Sequence, residues 1–340
     1  MKSASILGTG LIGASLGAGL RQQGWYVRGW DPDPAARSQA LKMGALDEEW
    51  LEPAGAADDS DVLFLAGPLS AIIETVLDLD SGVLVTDVAG VKAPVVEAAR
   101  HLPRFVGGHP MAGRESSGPG AASAAMFQGA TWILTTDEAR AEDLTALEEV
   151  VVSLGAVPVR MTAAEHDAAV AAVSHVPQVV ASALVNLVAT DGAALSLAAG
   201  GFRDLTRIAL SEPTWWTDVL TQNGSQVTRL VRDLSRDLED WADCIDRGRA
   251  GELARRLDSA RAARRGLAAP VAAVRVLLED RPGEIARVGH ALSRSGVDVR
   301  DLQLRHATRG GGGVLTLSVR PGQELALRSA LQEEGFRLVE

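Results

Sequence analysis

The chain has 340 residues, of which 46% are hydrophobic and 23% are charged, and its formal net charge is −11. This length exceeds one ordinary hydrophobic core and the composition is typical of globular proteins, while the negative charge disfavours binding to nucleic acid. The single cysteine cannot form an internal disulfide, the histidines show no spacing that indicates a metal, and no run of 18 apolar residues indicates a membrane span. Because residues 1–10 have no signal-peptide layout, we expect a cytoplasmic protein.

Short apolar runs alternate with helical stretches through the first 161 residues. The predicted strands are residues 3–8, 25–31, 61–67, 82–88 and 104–110. Strands that alternate with helices indicate a parallel sheet covered by helices on both faces. Residues 131–136 and 156–161 are expected to add edge strands to this sheet.

A glycine motif joins the first predicted strand to the first predicted helix. Gly8, Gly10 and Gly13 give the pattern G-x-G-x-x-G, which places the pyrophosphate of a dinucleotide at a helix N-terminus. Gly8 permits a tight turn, Gly10 lets the pyrophosphate approach the backbone, and Gly13 lets the helix pack closely on the strand. The predicted cofactor-binding residues of this loop are Gly8, Thr9, Gly10, Leu11, Ile12 and Gly13.

An acidic residue at the end of the second predicted strand indicates NAD. Asp31 lies 18 residues after Gly13, close to the position of the acid that accepts hydrogen bonds from the ribose hydroxyls. Its charge would repel the 2′-phosphate of NADP. Asp33 competes for the role but follows the strand in a turn. We therefore predict that residues 1–161 form a Rossmann-like α/β domain that binds NAD.

His109 stands near the end of the last strand of this domain, in the stretch FVGGHPMAG. The carboxyl ends of parallel strands meet at one edge, so His109 is expected at the same edge as the glycine loop. An imidazole with an ordinary pKa of about 6.5 suits a general base near neutral pH. Position alone is equally compatible with a loop histidine that only packs or caps.

The composition changes after residue 161. Residues 162–269 are rich in Ala and Val and predict an all-α domain that begins with a long helix, which Pro177 kinks by removing a backbone donor. The apolar faces of this domain are too broad for solvent, which predicts a homodimer formed through it. Residues 270–340 follow the order βαββαβ of a small split-βαβ domain.

Several motifs in fixed order resemble the prephenate/arogenate dehydrogenase family of tyrosine biosynthesis, and the DRPGEIARV segment is similar to the start of an ACT domain. The motifs are GTGLIGASLG, TDVAGVK, GGHPMAG, SHVPQ and GGFRDLTRIA. The resemblance implies NAD-dependent oxidative decarboxylation of prephenate to 4-hydroxyphenylpyruvate, or of arogenate to tyrosine. It also implies tyrosine as an effector of an ACT-like domain, held near Pro282 and Gly283 by N–H groups of the following helix.

The resemblance also implies roles for individual residues. His109 matches the catalytic histidine, which accepts the proton of the substrate hydroxyl as hydride leaves. Gly90 departs from the family, which usually has a serine there that orients the histidine. His175 matches a substrate-contacting histidine, and Gln178 stands where the family often has another histidine.

Two arginines are further candidates for binding the substrate, a dicarboxylate. Arg207 matches the family's carboxylate-binding arginine, and Arg203 lies four residues earlier, where it can add a second contact or pair with an acid. His166 lies nine residues before His175, which places the two on opposite faces of a regular helix. We therefore expect His166 to be a surface or capping residue.

Two other functions are alternatives. β-Hydroxyacid dehydrogenases also join a Rossmann domain to a helical domain, but they typically use a lysine of the helical domain, and Lys2, Lys42 and Lys92 all lie outside it. The second alternative, from a different class, is a non-catalytic NAD-bound amino-acid sensor. In a sensor, His109, His175 and Arg207 would have no common purpose.

Overall fold

The computed structural model describes residues 1–52, 60–113, 118–266, 272–306 and 312–339. The chain divides into two compact units, Met1–Asp237 and Leu238–Glu340. The boundary falls inside a helix, Gly224–Asp246. The division into three domains at 1–161, 162–269 and 270–340 therefore stays a prediction.

A six-stranded parallel sheet forms the first part of the first unit. Its strands are β1 Ser3–Leu7, β2 Tyr26–Trp30, β3 Glu48–Glu49, β4 Val62–Leu65, β5 Leu84–Asp87 and β6 Phe105–Val106. The helices between them are α1 Leu11–Gln22, α2 Pro34–Lys42, α3 Leu69–Asp78 and α4 Ala93–Ala98, followed by a short 3₁₀ helix at Ala99–His101. The spatial order β3-β2-β1-β4-β5-β6 is that of the Rossmann fold and confirms the predicted α/β class.

The central strands are buried on both faces of this sheet. Every residue of β4 and β5 is buried, as a parallel sheet between two helical layers requires. Val62 and Phe64 join the core that includes α1, whereas Leu63 and Leu65 join the core that includes α3. Because all strand pairs of this sheet are parallel, the carboxyl ends of the strands and the loops that follow them meet at one edge.

The prediction that residues 131–136 and 156–161 extend the same sheet is wrong. These residues form β8 Thr131–Thr135 and β9 Val157–Met161 of a separate three-stranded sheet, whose third strand is β7 Gly108–Pro110. β7 is antiparallel to β8, and β8 is parallel to β9 through the connecting helix α5 Ala141–Ser153. The predicted strand at 104–110 is divided, because Gly107 separates β6 from β7 and the chain passes there from one sheet to the other.

Helices make up the rest of the first unit. The first is a continuous helix, Ala163–Val188, which begins with a capping box between Thr162 and Glu165. Its parts are α6 Ala163–Val170, a π-helical turn Ala171–His175 and α7 Val176–Val188. The following elements are α8 Gly192–Ser196, α9 Gly200–Thr206, a 3₁₀ turn Arg207–Leu210, α10 Pro213–Gln222 and α11 Gly224–Asp246. By length and composition alone, Ala163–Val188 is apolar enough to cross a membrane.

The second unit contains the end of α11, the helix α12 Ala250–Gly266 and a four-stranded antiparallel sheet. The elements of its βαββαβ part are β10 Ala272–Leu278, α13 Glu284–Ser295, β11 Val299–His306, β12 Gly313–Val319, α14 Glu324–Glu333 and β13 Arg337–Val339. Their order confirms the predicted element order, and the sheet order is β11-β12-β10-β13. Alternate residues of β10, such as Val274 and Val276, are buried against the two helices.

Candidate active site

The glycine loop lies between β1 and α1, at the edge where the parallel strands end. Gly8 has a φ of +99°, and a Cβ at this residue would come within 2.6 Å of the Ala66 backbone. A Cβ on Gly13 would lie 1.9 Å from the carbonyl oxygen of Gly8, so α1 packs directly on the loop. Around Gly10, by contrast, a Cβ would meet no described atom within 4 Å. The loop therefore has the tight turn, the close helix and the open approach that a pyrophosphate needs.

Asp31 follows β2 and binds the glycine loop directly. Its Oδ2 accepts a hydrogen bond of 2.7 Å from the amide of Thr9, and its Oδ1 accepts one of 3.0 Å from the amide of Asp33. A carboxylate has about four lone-pair positions, so both oxygens can still accept from ribose hydroxyls. The carboxylate of Asp33 instead caps α2 by accepting from the amide of Ala35 at 2.9 Å. The structure thus brings Asp31 to the loop and assigns Asp33 a capping role.

His109 lies in β7, next to the loop that follows β5. A Cβ on Gly108 would lie 2.5 Å from the carbonyl oxygen of Asp87, so a glycine is required where β7 approaches the end of β5. A Cβ built on Gly90 would lie 3.7 Å from Nε2 of His109. The imidazole therefore directs Nε2 towards residue 90, where the chain has no side chain.

A buried ion pair holds the backbone just before His109. Lys92 and Asp87 are fully buried, and Nζ of Lys92 donates hydrogen bonds to Oδ2 of Asp87 and, at 2.6 Å, to the carbonyl oxygen of Gly108. Oδ1 of Asp87 accepts from the amide of Gly108 at 3.1 Å. Burial lowers the pKa of Lys92, although the negative charge of Asp87 opposes this shift. Both polar groups of the Gly108 backbone are thus fixed by one ion pair.

The expectation that His166 is a surface or capping residue is wrong. His166 is 1% exposed, and its Nε2 lies 2.8 Å from Nδ1 of His109. The cause is the π-helical turn Ala171–His175, which uses one residue more than an α-helical turn. With that extra residue, the nine positions from His166 to His175 turn the helix as eight would, and the two side chains lie about 80° apart instead of opposite. The predicted disturbance near Pro177 is therefore this turn, just before the proline.

Asp167 connects His166 to the nucleotide-binding part of the unit. Its Oδ1 lies 2.7 Å from Nδ1 of His166 and also accepts the amide of Lys92 at 2.7 Å. Its Oδ2 accepts the amide of Ala93 at 2.8 Å, so the carboxylate caps α4. The buried side chains of Asp167 and His166 and the half-buried side chain of His109 form a continuous series of hydrogen bonds, which we call the Asp–His–His chain.

His175, a predicted substrate contact, lies beside this chain in a buried position. Its Nδ1 is 3.2 Å from Nδ2 of Asn223, and this amide also donates to the carbonyl oxygen of Asp167 at 2.8 Å. Because an amide nitrogen only donates, Nδ1 of His175 accepts, and in the neutral ring the proton is on Nε2. His175 therefore presents a hydrogen-bond donor, whereas a general base must present an acceptor.

The two predicted site histidines are both uncharged near neutral pH. Burial lowers the pKa of His109 well below its ordinary value, and repulsion from the basic side chains of His166, Lys92 and His175 opposes a charge on the ring as well. Burial lowers the pKa of His175 to about 4, although the nearby Asp167 opposes this shift. The expectation that His109 titrates near its ordinary pKa is therefore corrected to a lower value, and the ring can accept a proton over a wider range of pH.

Two tryptophans at the start of α10 border the same space. Cζ2 of Trp215 would lie 3.8 Å from a Cβ on Gly90, and the ring of Trp216 packs edge-on against His175 with centroids 5.9 Å apart. The two indoles contact each other edge-on at 4.8 Å. They give the site an aromatic surface next to His109 and His175.

The remaining predicted substrate residues lie on helices around the long helix. Arg203 is in α9 and Arg207 begins the 3₁₀ turn, and both are exposed. Both elements pack against α7, which carries Gln178. Gln178 is 5% exposed, and its side-chain oxygen has no hydrogen-bond partner among the described residues. The carboxylate-binding roles of the two arginines stay predictions.

Six residues of the site escaped prediction. They are Asp87, Lys92, Asp167, Trp215, Trp216 and Asn223. Asp87 and Lys92 lie in the TDVAGVK motif, and the adjacent polar pair His166 and Asp167 interrupts an Ala/Val-rich stretch, so a buried role for them had some signal in the sequence. Nothing in the sequence marked the π-helical turn that brings His166 and His175 to one side.

Comparisons with known proteins match the chain to one family. Residues 16–160 match the model "Prephenate dehydrogenase, nucleotide-binding domain", and residues 162–259 match "Prephenate dehydrogenase, dimerization domain". A prephenate dehydrogenase of Bacillus subtilis is 30% identical in an alignment 345 residues long with its gaps, and the alignment covers 94% of this chain and 92% of that protein.

Solved structures of the same family have the same fold. A prephenate dehydrogenase from Aquifex aeolicus, in complex with hydroxyphenyl propionate and NAD⁺, is 29% identical with a TM-score of 0.72, covering 79% of this chain and 99% of that one. An arogenate dehydrogenase from Synechocystis is 30% identical with a TM-score of 0.69, covering 78% and 100%. With both family models matched in order and a relative aligned over nearly its full length, the chain belongs to the prephenate dehydrogenase family.

Proposed function

We propose that this protein is an NAD-dependent prephenate dehydrogenase, which oxidises and decarboxylates prephenate to 4-hydroxyphenylpyruvate. The observation that carries the proposal is His109, a ring uncharged at neutral pH whose Nε2 is directed towards the open position at Gly90. β1 and β6 belong to the same parallel sheet. The glycine loop follows the end of β1, and His109 lies in β7, just after the end of β6. A base and a dinucleotide loop at one edge support a hydride transfer.

The residues at the glycine loop fit NAD. Gly10 leaves the backbone open, and no described side chain caps the N-terminus of α1, so its first amides are available to a pyrophosphate. Asp31 is held at the loop by the Thr9 amide, where its carboxylate accepts from ribose hydroxyls and repels a 2′-phosphate. Gly8, Thr9, Gly10, Leu11, Ile12 and Gly13 would form the loop around the bound cofactor. When bound, NAD⁺ supplies the hydride acceptor.

The side chains of the site divide the remaining work. Nε2 of His109 accepts the proton of the ring hydroxyl while the carbon that bears it loses hydride. The electron pair of the breaking bond to the ring carboxylate then completes the aromatic ring, and carbon dioxide leaves without help from a metal. His175 donates from Nε2 to a substrate oxygen, and Arg207 and Arg203 bind carboxylate. The tryptophans Trp215 and Trp216 cover the ring.

Arogenate is the second candidate substrate, and one observation favours it. It has an amine where prephenate has a keto group, and an amine donates hydrogen bonds whereas a keto oxygen accepts them. The buried side-chain oxygen of Gln178 is an acceptor without a partner among the described residues, one helical turn after His175. If this oxygen faces the substrate side chain, it favours the amine.

A direct assay tests the proposed function. Purified protein is mixed with NAD⁺ and either prephenate or arogenate, and the absorbance of the reduced cofactor is followed. His109→Asn is expected to bind both ligands and to lose roughly 10²-fold or more in kcat, because a general base acts mainly in the transition state. A protein that binds NAD⁺ but reduces none of it with either substrate would instead be the non-catalytic sensor.

We propose that the enzyme works as a homodimer in the cytoplasm. Residues 162–259 match a dimerization-domain model, and the helix Ala163–Val188 has only 28% of its most apolar window buried within the chain. Large apolar side chains such as Val173 and Leu187 are exposed on it. Burying these side chains against a second copy of the protein is more favourable than leaving them exposed to water. A monomer at micromolar concentration in sedimentation would contradict this proposal.

We also propose that residues 270–340 form an ACT-like module through which tyrosine inhibits the enzyme. The βαββαβ order supports it, and Gly283 has a φ of +92° with no described atom within 4 Å of a Cβ. One expected detail changes, because the carboxylate of Glu284 lies in the first turn of α13, bound to Arg287 at 2.7 Å. A ligand carboxylate would have to bind beside that acid. Inhibition of the intact enzyme that is purely competitive with prephenate would place tyrosine in the active site instead.

A further inference from the structure

The hydrogen bonds of the Asp–His–His chain determine which ring nitrogens carry protons. Oδ1 of Asp167 accepts from the Lys92 amide, and an ionised carboxylate can only accept, so Nδ1 of His166 must carry a proton and donate. In a neutral ring the other nitrogen is then an acceptor. Nε2 of His166 lies 2.8 Å from Nδ1 of His109, so Nδ1 of His109 must be the donor of this bond.

We infer that His166 and Asp167 are positioning residues that hold His109 as the Nδ1–H tautomer, with Nε2 bare and directed at the substrate hydroxyl. The inference rests on the proposed function for its catalytic consequence but not for its geometry. A neutral histidine free of such partners can place its proton on either nitrogen, and the Nε2–H form cannot act as a base at this position. The Asp–His–His chain disfavours the Nε2–H tautomer of His109.

The burial of His166 and Asp167 supports a neutral His166. His166 is 1% exposed and Asp167 is 4% exposed, and the carboxylate already accepts two backbone amides at the start of α4. The fully buried Lys92 supplies positive charge near the carboxylate of Asp167. A second buried cation would add a desolvation cost. If His166 were nonetheless doubly protonated, both of its nitrogens would donate, and the proton of a neutral His109 would be on Nε2.

The Asp–His–His chain also orients the His109 ring, which Gly90 cannot do. Gly90 has no side chain, so no hydroxyl reaches Nε2 from the position where a Cβ would be 3.7 Å away. The ring is instead fixed from its other nitrogen, through Nδ1, by two buried side chains on α6. After Nε2 has accepted the substrate proton, the Nδ1–H bond remains, and the charged ring faces a histidine backed by a carboxylate. No second proton has to move.

Nitrogen NMR of the intact protein tests the tautomer without any substrate. With histidine labelled by ¹⁵N, the ring nitrogens of His109 are assigned from the His109→Asn spectrum and recorded at neutral pH, where the ring is uncharged. We expect Nδ1 to be the protonated nitrogen and Nε2 the unprotonated one. A protonated Nε2, or a mixture of both tautomers in the wild type, would overturn the inference. Because no turnover is involved, this result is independent of whether prephenate is the substrate.

Substitutions of His166 test the consequence for catalysis. His166→Leu removes the acceptor and is expected to lower kcat roughly 10²-fold with KM close to that of the wild type, and to give a mixed tautomer at His109. His166→Gln keeps a side-chain oxygen that can accept from Nδ1–H, so it should recover most of the lost kcat and the single tautomer. His290→Leu, at an exposed histidine of α13, is the matched control and should leave kcat unchanged.

The variants separate positioning from a merely structural role. If His166→Leu does not fold, His166→Gln alone still decides, because a structural defect would not restore one tautomer while retaining turnover. Equal losses of kcat in the Leu and Gln variants, with the tautomer unchanged in both, would overturn the inference. A wild-type protein inactive on both substrates would refute the proposed function. The NMR measurement would still test the tautomer of His109, because it needs no substrate.

Discussion

Lys92→Met removes the cation of a fully buried ion pair and should strongly destabilise the protein. Among the described residues, Asp87 would keep two backbone donors, the amides of Ala89 at 2.9 Å and Gly108 at 3.1 Å, and its charge would have no counter-ion in direct contact there. Removing one partner of a buried pair costs about 3–5 kcal/mol. Since two donors remain, we expect the lower part of that range from the pair, and the lost bond to the Gly108 carbonyl adds about 1 kcal/mol.

Urea denaturation followed by tryptophan fluorescence measures this loss of the free energy of unfolding. Lys42→Met is the matched control, because Lys42 is exposed at the end of α2 and its loss should cost no more than about 0.5 kcal/mol. In the double variant Asp87→Leu/Lys92→Met, an apolar pair replaces the ions, so at least half of the lost stability should return. If Lys92→Met costs less than about 1 kcal/mol, the pair contributes no more than a surface pair and the reasoning is wrong.

Three further predictions concern catalysis. His109 acts as a base only when unprotonated and its pKa is lowered well below the ordinary value, so kcat/KM should stay high at pH 6.5 and fall only at lower pH; a midpoint at or above 6.5 in the pH profile would contradict the structure. Asp31→Ala should weaken NAD⁺ binding and reduce discrimination against NADP⁺, which comparing KM for the two cofactors measures; a wild type that prefers NADP⁺ would refute the assignment. Arg207→Ala should mainly raise the KM for substrate, since a carboxylate contact is present in ground and transition states alike, and an unchanged KM would point to Arg203.

The nucleotide-binding part of the fold was predictable because its signals are local. The glycine spacing, the apolar runs and Asp31 each depend on a few neighbouring residues, and the structure has them where the sequence placed them. The second sheet was not predictable in the same way. Gly107 and Gly108 lie within a single apolar run, and only the contact of Gly108 with the end of β5 shows that the chain changes sheets there.

The candidate site was predictable only in part, for a geometric reason. His109 and His175 were identified from motifs, but their partners were assigned with a constant helical period of 3.6 residues per turn. Between His166 and His175 that period does not hold, because the turn at Ala171–His175 is π-helical. His166, which the regular period had turned away from His175, instead lies 2.8 Å from Nδ1 of His109.

The π-helical turn accommodates one extra residue in this helix while the side chains after it keep the direction that a helix one residue shorter would give them. Deleting one residue between Ala171 and Ser174 would let the segment relax into a regular α-helix with all its backbone hydrogen bonds retained. Everything after the deletion would keep about its present direction relative to His166 and Asp167, because eight positions of a regular α-helix turn as far as the present nine. His175 and Gln178 would stay at the site, and the exposed apolar side chains of α7 would keep their present direction. A descendant with a one-residue gap at this turn would thus have the same site on a regular α-helix, whereas a descendant that kept all residues but lost the π-helical turn would have His175 rotated by about 100° away from it.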